Sequence, residues 1–295
     1  MVNDSSKVQP AQAIVPLKDL VEAKTRLSGL LRPAERRALA QAMAEDVLSV
    51  LAVHPAIAGV TLVSDDPGAA MLADKFGANH WSERALGGTG LNDVIAKATA
   101  RLLETWGGAI LVLHADIPLL RSNELDVIVN TQRDNQGLVV GCDKAETGTN
   151  LLAFDAECVP QFHFGSASCA AHERWAHEAE VPVVRVREQG IALDIDEPQD
   201  LAMLIAELEN ISVGVEAGVK VGAKSSGVER ETAKLLAHST LGIRLNAALD
   251  ARDGLAQAAA NAEFNPGASG KQIVEAGRHE QGQLTVQTSK HKADL

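Results

Sequence analysis

The chain has 295 residues, of which 46% are hydrophobic and 22% charged, with a formal charge of −12 at pH 7. That length and apolar share suffice for one large buried core, and the acidity argues against a sequence-independent nucleic-acid surface. The acidity is uneven, since residues 1–210 carry 17 Lys and Arg against 30 Asp and Glu, whereas residues 211–295 carry 10 against 9.

The first residues, MVNDSSKVQP, lack the cationic-then-apolar plan of a signal peptide, and no run reaches the ~18 apolar residues needed to span a bilayer. A cytoplasmic protein is expected. Short apolar runs then alternate with helical patterns, the rhythm of an α/β protein with a mostly parallel sheet. Strands are expected at Ala13–Leu17, Val60–Ser64, Ala109–His114, Leu138–Cys142, Asn150–Phe154, Val183–Arg187 and Ile191–Asp194. A long helix opens at Pro33, a favoured first position, and others are expected at 66–76, 91–106, 123–134, 167–179 and 197–209. The later strands follow one another closely, which makes the sheet mixed rather than purely parallel. Cys142, Cys158 and Cys169 are odd in number and show no C-x-x-C spacing, so they read as reduced, buried thiols.

Beyond Asn210 the texture changes. Residues 211–229 are rich in Gly, Val and Ser and read as a linker, the next stretch as a helical extension, and residues 265–295 as a disordered tail. The chain thus divides into an α/β domain over residues 11–210 and an extension over 211–295, which leaves room for a homodimer or another contact.

Three aspartates stand out. Asp194 and Asp196 lie in IALDIDEPQDL, where alternation along a strand would send both carboxylates to one side, and Asp116 follows the apolar run LVLHADIPLL. Close carboxylates repel unless a cation separates them, and three of them suit a hard divalent ion such as Mg²⁺. Lys18, Lys24 and Arg26 follow the first strand, where a loop at a carboxyl strand end could wrap a polyphosphate. Neither a Walker A loop nor G-x-G-x-x-G follows that strand, which weakens kinase and dinucleotide readings. In ALGGTGLNDVIAKA, Gly88 precedes a helix capped by Thr89 or Asn92, an arrangement that suits an anion as well as it suits an ordinary cap. Thr149 opens a strand in ETGTNLLAF, and FGSASCAAH brings Gly165, Ser166 and Ser168 to a helix start. His114 and His172 read as packed or hydrogen-bonded side chains, and no G-x-S-x-G elbow supports a serine nucleophile.

Taken in order, VPLKDLVEAKTRL, LVLHADIPLL, GTNLLAF, FGSASCAAH and LDIDEPQDL resemble the 2-phospho-L-lactate guanylyltransferase family (CofC/FbiD) of the coenzyme F-420 pathway, over roughly residues 11–209. The resemblance implies a GT-A-like nucleotidyltransferase fold, GTP as donor, Mg²⁺ as cofactor and a phosphorylated three-carbon acid as acceptor. It implies that Asp116, Asp194 and Asp196 bind the metal and that Thr149, Gly165 and Ser168 bind the acceptor. Lys18, Lys24, Arg26, Gly88 and Asn92 would then meet the nucleotide, with Asp116 and Lys24 carrying the catalysis. The chain departs from the family where F-G-P-G-S is usual and FGSAS stands here, and in its long extension. The rival readings are a nucleotidyltransferase for another precursor, such as a cytidylyltransferase, and a non-catalytic nucleotide sensor with a partner-binding tail.

Overall fold

The computed structural model describes residues 10–20, 23–216, 230–237, 243–245, 247–248 and 251. Two units divide at Asn246 and Ala247; of the second, only Ala247, Ala248 and Ala251 are described, all helical.

Seven strands form one sheet: β1 (Ala11–Pro16), β2 (Ile57–Val63), β3 (Asn79–Trp81), β4 (Ile110–Leu113), β5 (Leu138–Cys142), β6 (Thr149–Phe154) and β7 (Val183–Val186), in the order β3-β2-β1-β4-β6-β5-β7. All neighbouring pairs run parallel except β4–β6 and β5–β6, so β6 alone points the other way. The central strands are continuous apolar runs because helices cover both faces. Alternation splits their side chains: Ala13, Val15, Leu111, Leu113, Leu151 and Ala153 join one core cluster, whereas Ile14, Val112, Val140, Leu152 and Phe154 join the other.

Helices α1 (Pro33–Val53), α2 (Ala69–Lys75), α5 (Ser122–Asn135), α8 (Pro198–Glu216) and α9 (Glu231–Ala237) contribute to the first cluster, and α4 (Gly90–Leu103) and α6 (Ser168–Glu178) to the second. Short turns α3 (Glu83–Leu86) and α7 (Gln189–Ala192) complete the set. Pro33 opens α1 as expected, and Glu35 reaches back to the Arg32 amide at 2.8 Å, satisfying a donor that the first turn leaves free. None of the described helices is long and apolar enough to cross a membrane.

Three expectations are corrected. Residues Ile191–Asp194 do not form a strand: α7 ends at Ala192, and Leu193 to Asp196 continue extended without a ladder partner. The side-chain alternation nonetheless survives, with Leu193 and Ile195 buried and Asp194 and Asp196 turned the other way. Cys142 and Cys169 are not free thiols but are joined in a disulfide, their Cα atoms 5.8 Å apart, because α6 starts beside the end of β5; Cys158 stays free. Helix α8 continues to Glu216, six residues into the stretch expected as linker, while residues 217–229 and the expected tail lie outside the described residues.

Strand directions decide what meets at one edge. β1 and β4 are parallel neighbours with Ile14 opposite Val112, so the loops after both leave from the same edge. β6 is antiparallel, with Leu151 opposite Leu113, so its first residue, Thr149, lies at that edge too, opposite Cys142 at the end of β5. Phe154, at the far end of β6, is fully buried and meets Phe162 edge-on at 5.9 Å. Phe154→Ala is expected to cost about 3–5 kcal/mol, read as a lower urea midpoint with an unchanged slope.

Candidate functional site

The loop after β1 brings Lys24 back over the sheet edge. Lys24 adopts φ 56° and ψ 41°, the left-handed region, just ahead of a single 3₁₀ turn over Thr25–Leu27. This backbone aims the side chain inward, and its ammonium lies 2.6 Å from Asp116 Oδ2 and 2.8 Å from Asp196 Oδ1. Burial works against the charge on Lys24, but the two carboxylates outweigh it and hold the ammonium pKa above its ordinary value. Asp116 shows the reciprocal effect: burial opposes its ionisation, and the Lys24 charge still draws the pKa below the usual carboxylate range.

Around this pair the other charges fall into place. The Asp116 backbone carbonyl accepts the Ile195 amide at 3.2 Å, which ties the loop after β4 to the extended DID segment. Asp194 accepts from Asn150 Nδ2 at 3.1 Å, and the same amide donates to the Ile191 carbonyl at 2.9 Å. Burial, and then the Asp116 charge, push Asp194 up to about 6. Arg26 lies outside, 3.8 Å from Asp196 and 3.5 Å from Glu197, with its side chain largely exposed. Among the described residues no group of three or more His, Cys, Asp or Glu side chains is gathered as a ready metal cluster. The cation between Asp116 and Asp196 is the protein's own ammonium. Yet Asp116 Oδ1 is buried without a partner, and so is Nε2 of His114, whose ring meets Phe164 at 5.1 Å.

A second group gathers at the start of β6 and α6. His172 is fully buried and accepts the His163 amide on Nε2 at 2.9 Å, so its neutral ring carries the proton on Nδ1. That nitrogen lies 3.1 Å from Thr149 Oγ1, which therefore accepts and keeps its own proton free to donate elsewhere. Ser168 is buried with an unpartnered hydroxyl. Gly165 (φ 132°) and Ala167 (φ 57°) both sit at positive φ, the first suited to glycine and the second strained for alanine.

Thr89 is the α4 N-cap, and Asn92 holds the FGSAS turn: it donates to the Phe164 carbonyl at 3.0 Å and accepts the Phe164 amide at 2.7 Å. A Cβ on Gly88 would lie 2.6 Å from Val94 Cγ2, so close packing against α4 already accounts for that glycine. Lys18 is exposed on the β1 loop, where its charge reaches Glu83 and His114. Sequence reasoning had no role for Asn150 or for the His172 contact with Thr149. A polar residue second in an otherwise apolar strand was the available signal for Asn150.

Two outcomes follow. Burial, and then nearby His163, lower the His172 pKa to about 4, while the unfolded histidine titrates near 6.5. At His172 the unfolded chain therefore binds more protons between those values, and this residue's contribution to stability falls by about 3 kcal/mol as pH drops through the window. Asp194, raised to about 6, acts in the opposite sense over the same range, so the His172 effect is read as a difference: between pH 7 and pH 4.5 the wild type should lose about 2–3 kcal/mol more stability in urea than His172→Gln does. Ala167→Gly should raise stability by about 0.5–1 kcal/mol, the relieved left-handed penalty less the added freedom of the unfolded chain, in the same urea assay at pH 7.

Residues 11–212 match the family described as "Guanylyl transferase CofC like". A phosphoenolpyruvate guanylyltransferase of Sphaerobacter thermophilus is 32% identical over 192 residues, 65% of this chain and 91% of its own length. One from Conexibacter woesei is 33% identical, covering 65% and 86%. Another from Nocardia farcinica is 38% identical over 160 residues, covering 52% and 70%. Among solved structures, one from Desulfovibrio desulfuricans G20, named as a nucleotide-diphospho-sugar transferase, superposes with a TM-score of 0.60 at 17% identity, covering 82% of this chain and 96% of that one; at that identity the likeness shows the fold.

Proposed function

The chain belongs to the CofC-like guanylyl transferase family, and from that premise we propose that it transfers GMP from GTP to the phosphate of a phosphorylated three-carbon acid in deazaflavin coenzyme F-420 biosynthesis. The observation that carries the reading is the Lys24 ammonium held between Asp116 and Asp196, where the loop after β1 meets the loop after β4. Ligands of open α/β sheets bind outside the carboxyl ends of the strands, and this is such a place. Phosphoenolpyruvate is the favoured acceptor because the similar relatives are named for it; 2-phospho-L-lactate and 3-phospho-D-glycerate present the same phosphate and carboxylate.

The acceptor's phosphate is the nucleophile. Its second pKa lies near ~6, so it is already mostly a dianion at pH 7 and needs no side-chain base. An acceptor oxygen bonds to the α-phosphorus of GTP as the α–β bridging bond breaks, and pyrophosphate leaves with that bridging oxygen. Thr149 donates its free hydroxyl proton to the acceptor phosphate, and the Gly165 backbone and the Ser168 hydroxyl complete its cradle. Lys18 and Arg26 offset triphosphate charge from the β1 loop, and the turn of Gly88 and Asn92 meets the same nucleotide. Lys24, pre-charged by its two carboxylates, turns toward the phosphates when they arrive and stabilises the leaving group.

The carboxylate set fits a hard cation: its donors are oxygens only, and Asp116 Oδ1 is buried without a partner. Asp116, Asp194 and Asp196 would hold Mg²⁺, which when bound neutralises triphosphate charge. On this reading the enzyme works in the cytoplasm on small molecules, and its acidic body disfavours nucleic acid.

Incubation with each nucleoside triphosphate and each of the three acids, followed by mass analysis, should yield a GMP adduct with pyrophosphate. Product from CTP and none from GTP with any acid would overturn the proposal. Asp116→Ala should lower turnover by about 10³-fold or more while the chain stays folded by circular dichroism, and near-normal pyrophosphate release would count against the assignment.

A further inference from the structure

The family match ends at residue 212, yet the chain beyond it docks onto the domain in a specific way. Helix α9 starts on a buried carboxylate of α1: Asp46 accepts the Glu231 amide at 2.6 Å and the Thr232 amide at 3.1 Å. Thr232 is fully buried and Leu236 nearly so, while Arg244 pairs with Glu35 at 2.7 Å, so the segment is fastened along α1. These anchors place Arg230, the residue ahead of α9, over the backbone that follows Asp116. Its guanidinium donates to three successive carbonyls there: to Pro118 from Nη1, and from Nη2 to Leu119 at 3.3 Å and Leu120 at 3.0 Å.

The loop that receives these bonds is short and fixed at both ends. The Asp116 carbonyl takes the Ile195 amide, and Glu124 takes the Arg121 amide at 2.8 Å and the Gly190 amide at 2.7 Å. Between those ends, Arg230 supplies a fork of N–H donors to three successive carbonyls. Lysine, with one nitrogen, cannot span three carbonyls in the same way. Losing these donors leaves partly buried carbonyls unsatisfied, which drives the loop to rearrange.

We propose that Arg230 is a positioning residue for Asp116: through one guanidinium, the segment beyond the family-matched region holds the backbone that sets where this carboxylate sits. The inference rests on the functional reading of Asp116 above. A displacement of about 1 Å in a reacting constellation costs about 10²-fold in rate, so the clamp's effect should appear in turnover rather than in substrate affinity.

The test uses the full chain as Arg230→Met, Arg230→Lys and, as a destabilised control remote from the loop, Leu102→Ala at the far end of α4. Arg230→Met should lower kcat by about 10–100-fold with KM for GTP and for the acid within about two-fold of wild type. Hydrogen exchange of residues 117–121 should quicken while that of β4 stays unchanged, and Arg230→Lys should fall between the two. Leu102→Ala should lower the melting temperature yet keep kcat within about two-fold at a temperature where it is folded. The proposal is overturned by unchanged exchange at 117–121, by a kcat for Arg230→Met within about two-fold of wild type, or by an equal loss in Leu102→Ala. Should Arg230→Met fail to fold, Arg230→Lys is judged by the same exchange and kcat criteria. A wild-type chain that makes no guanylylated product would sink the functional reading instead, and exchange at 117–121 would still decide the clamp.

Discussion

The site rests on one ion triad, the Lys24 ammonium between Asp116 and Asp196. Each carboxylate comes from a different part of the chain and the lysine from a third, so the contact closes three loops at one sheet edge. Removing the cation would leave two anions facing each other, and uncompensated charges in partly buried sites cost several kcal/mol. The left-handed backbone of Lys24 shows the other side of that balance. A lysine held there stores about 1–3 kcal/mol of strain, which the surrounding contacts must offset.

The sheet topology makes the triad possible. Three parallel strand ends would bring only loops that leave the sheet. The single antiparallel strand, β6, instead brings its first residues to the same edge, so Thr149 and Asn150 enter the site from a rigid strand. Asn150 then holds Asp194, and His172 orients the Thr149 hydroxyl from α6. The hydroxyl and the carboxylates are thereby held by framework elements rather than by loop ends alone.

Much of this was legible in the sequence because apolar runs and charge placement are local signals. The strand over Leu138–Cys142 was placed to the residue, and Asp116 and Asp196 do meet, at the Lys24 ammonium. Non-local signals were not legible. The disulfide depends on β5 and α6 meeting in space, which the 27-residue spacing of Cys142 and Cys169 does not encode. The strand expected at Ile191–Asp194 was misread because its alternation comes from packing one side of an extended segment on the core, with no neighbouring strand needed. β3 was missed because its three residues, Asn79, His80 and Trp81, carry no apolar run. Lys24 was found as a basic loop residue, but its role as the cation inside the acidic cluster required its backbone angles. Arg230 lay at the start of the stretch read as a helical extension, where no local signal points to the backbone after Asp116.

The reciprocal amide contact between Asn92 and Phe164 has a mechanical meaning. It fastens the first turn of α4 to the FGSAS turn with two hydrogen bonds of opposite sense. The two turns are therefore one piece of material rather than two separate flaps. A substitution that reshapes the FGSAS turn will drag the start of α4 with it, so the two turns are not independently adjustable parts of this chain.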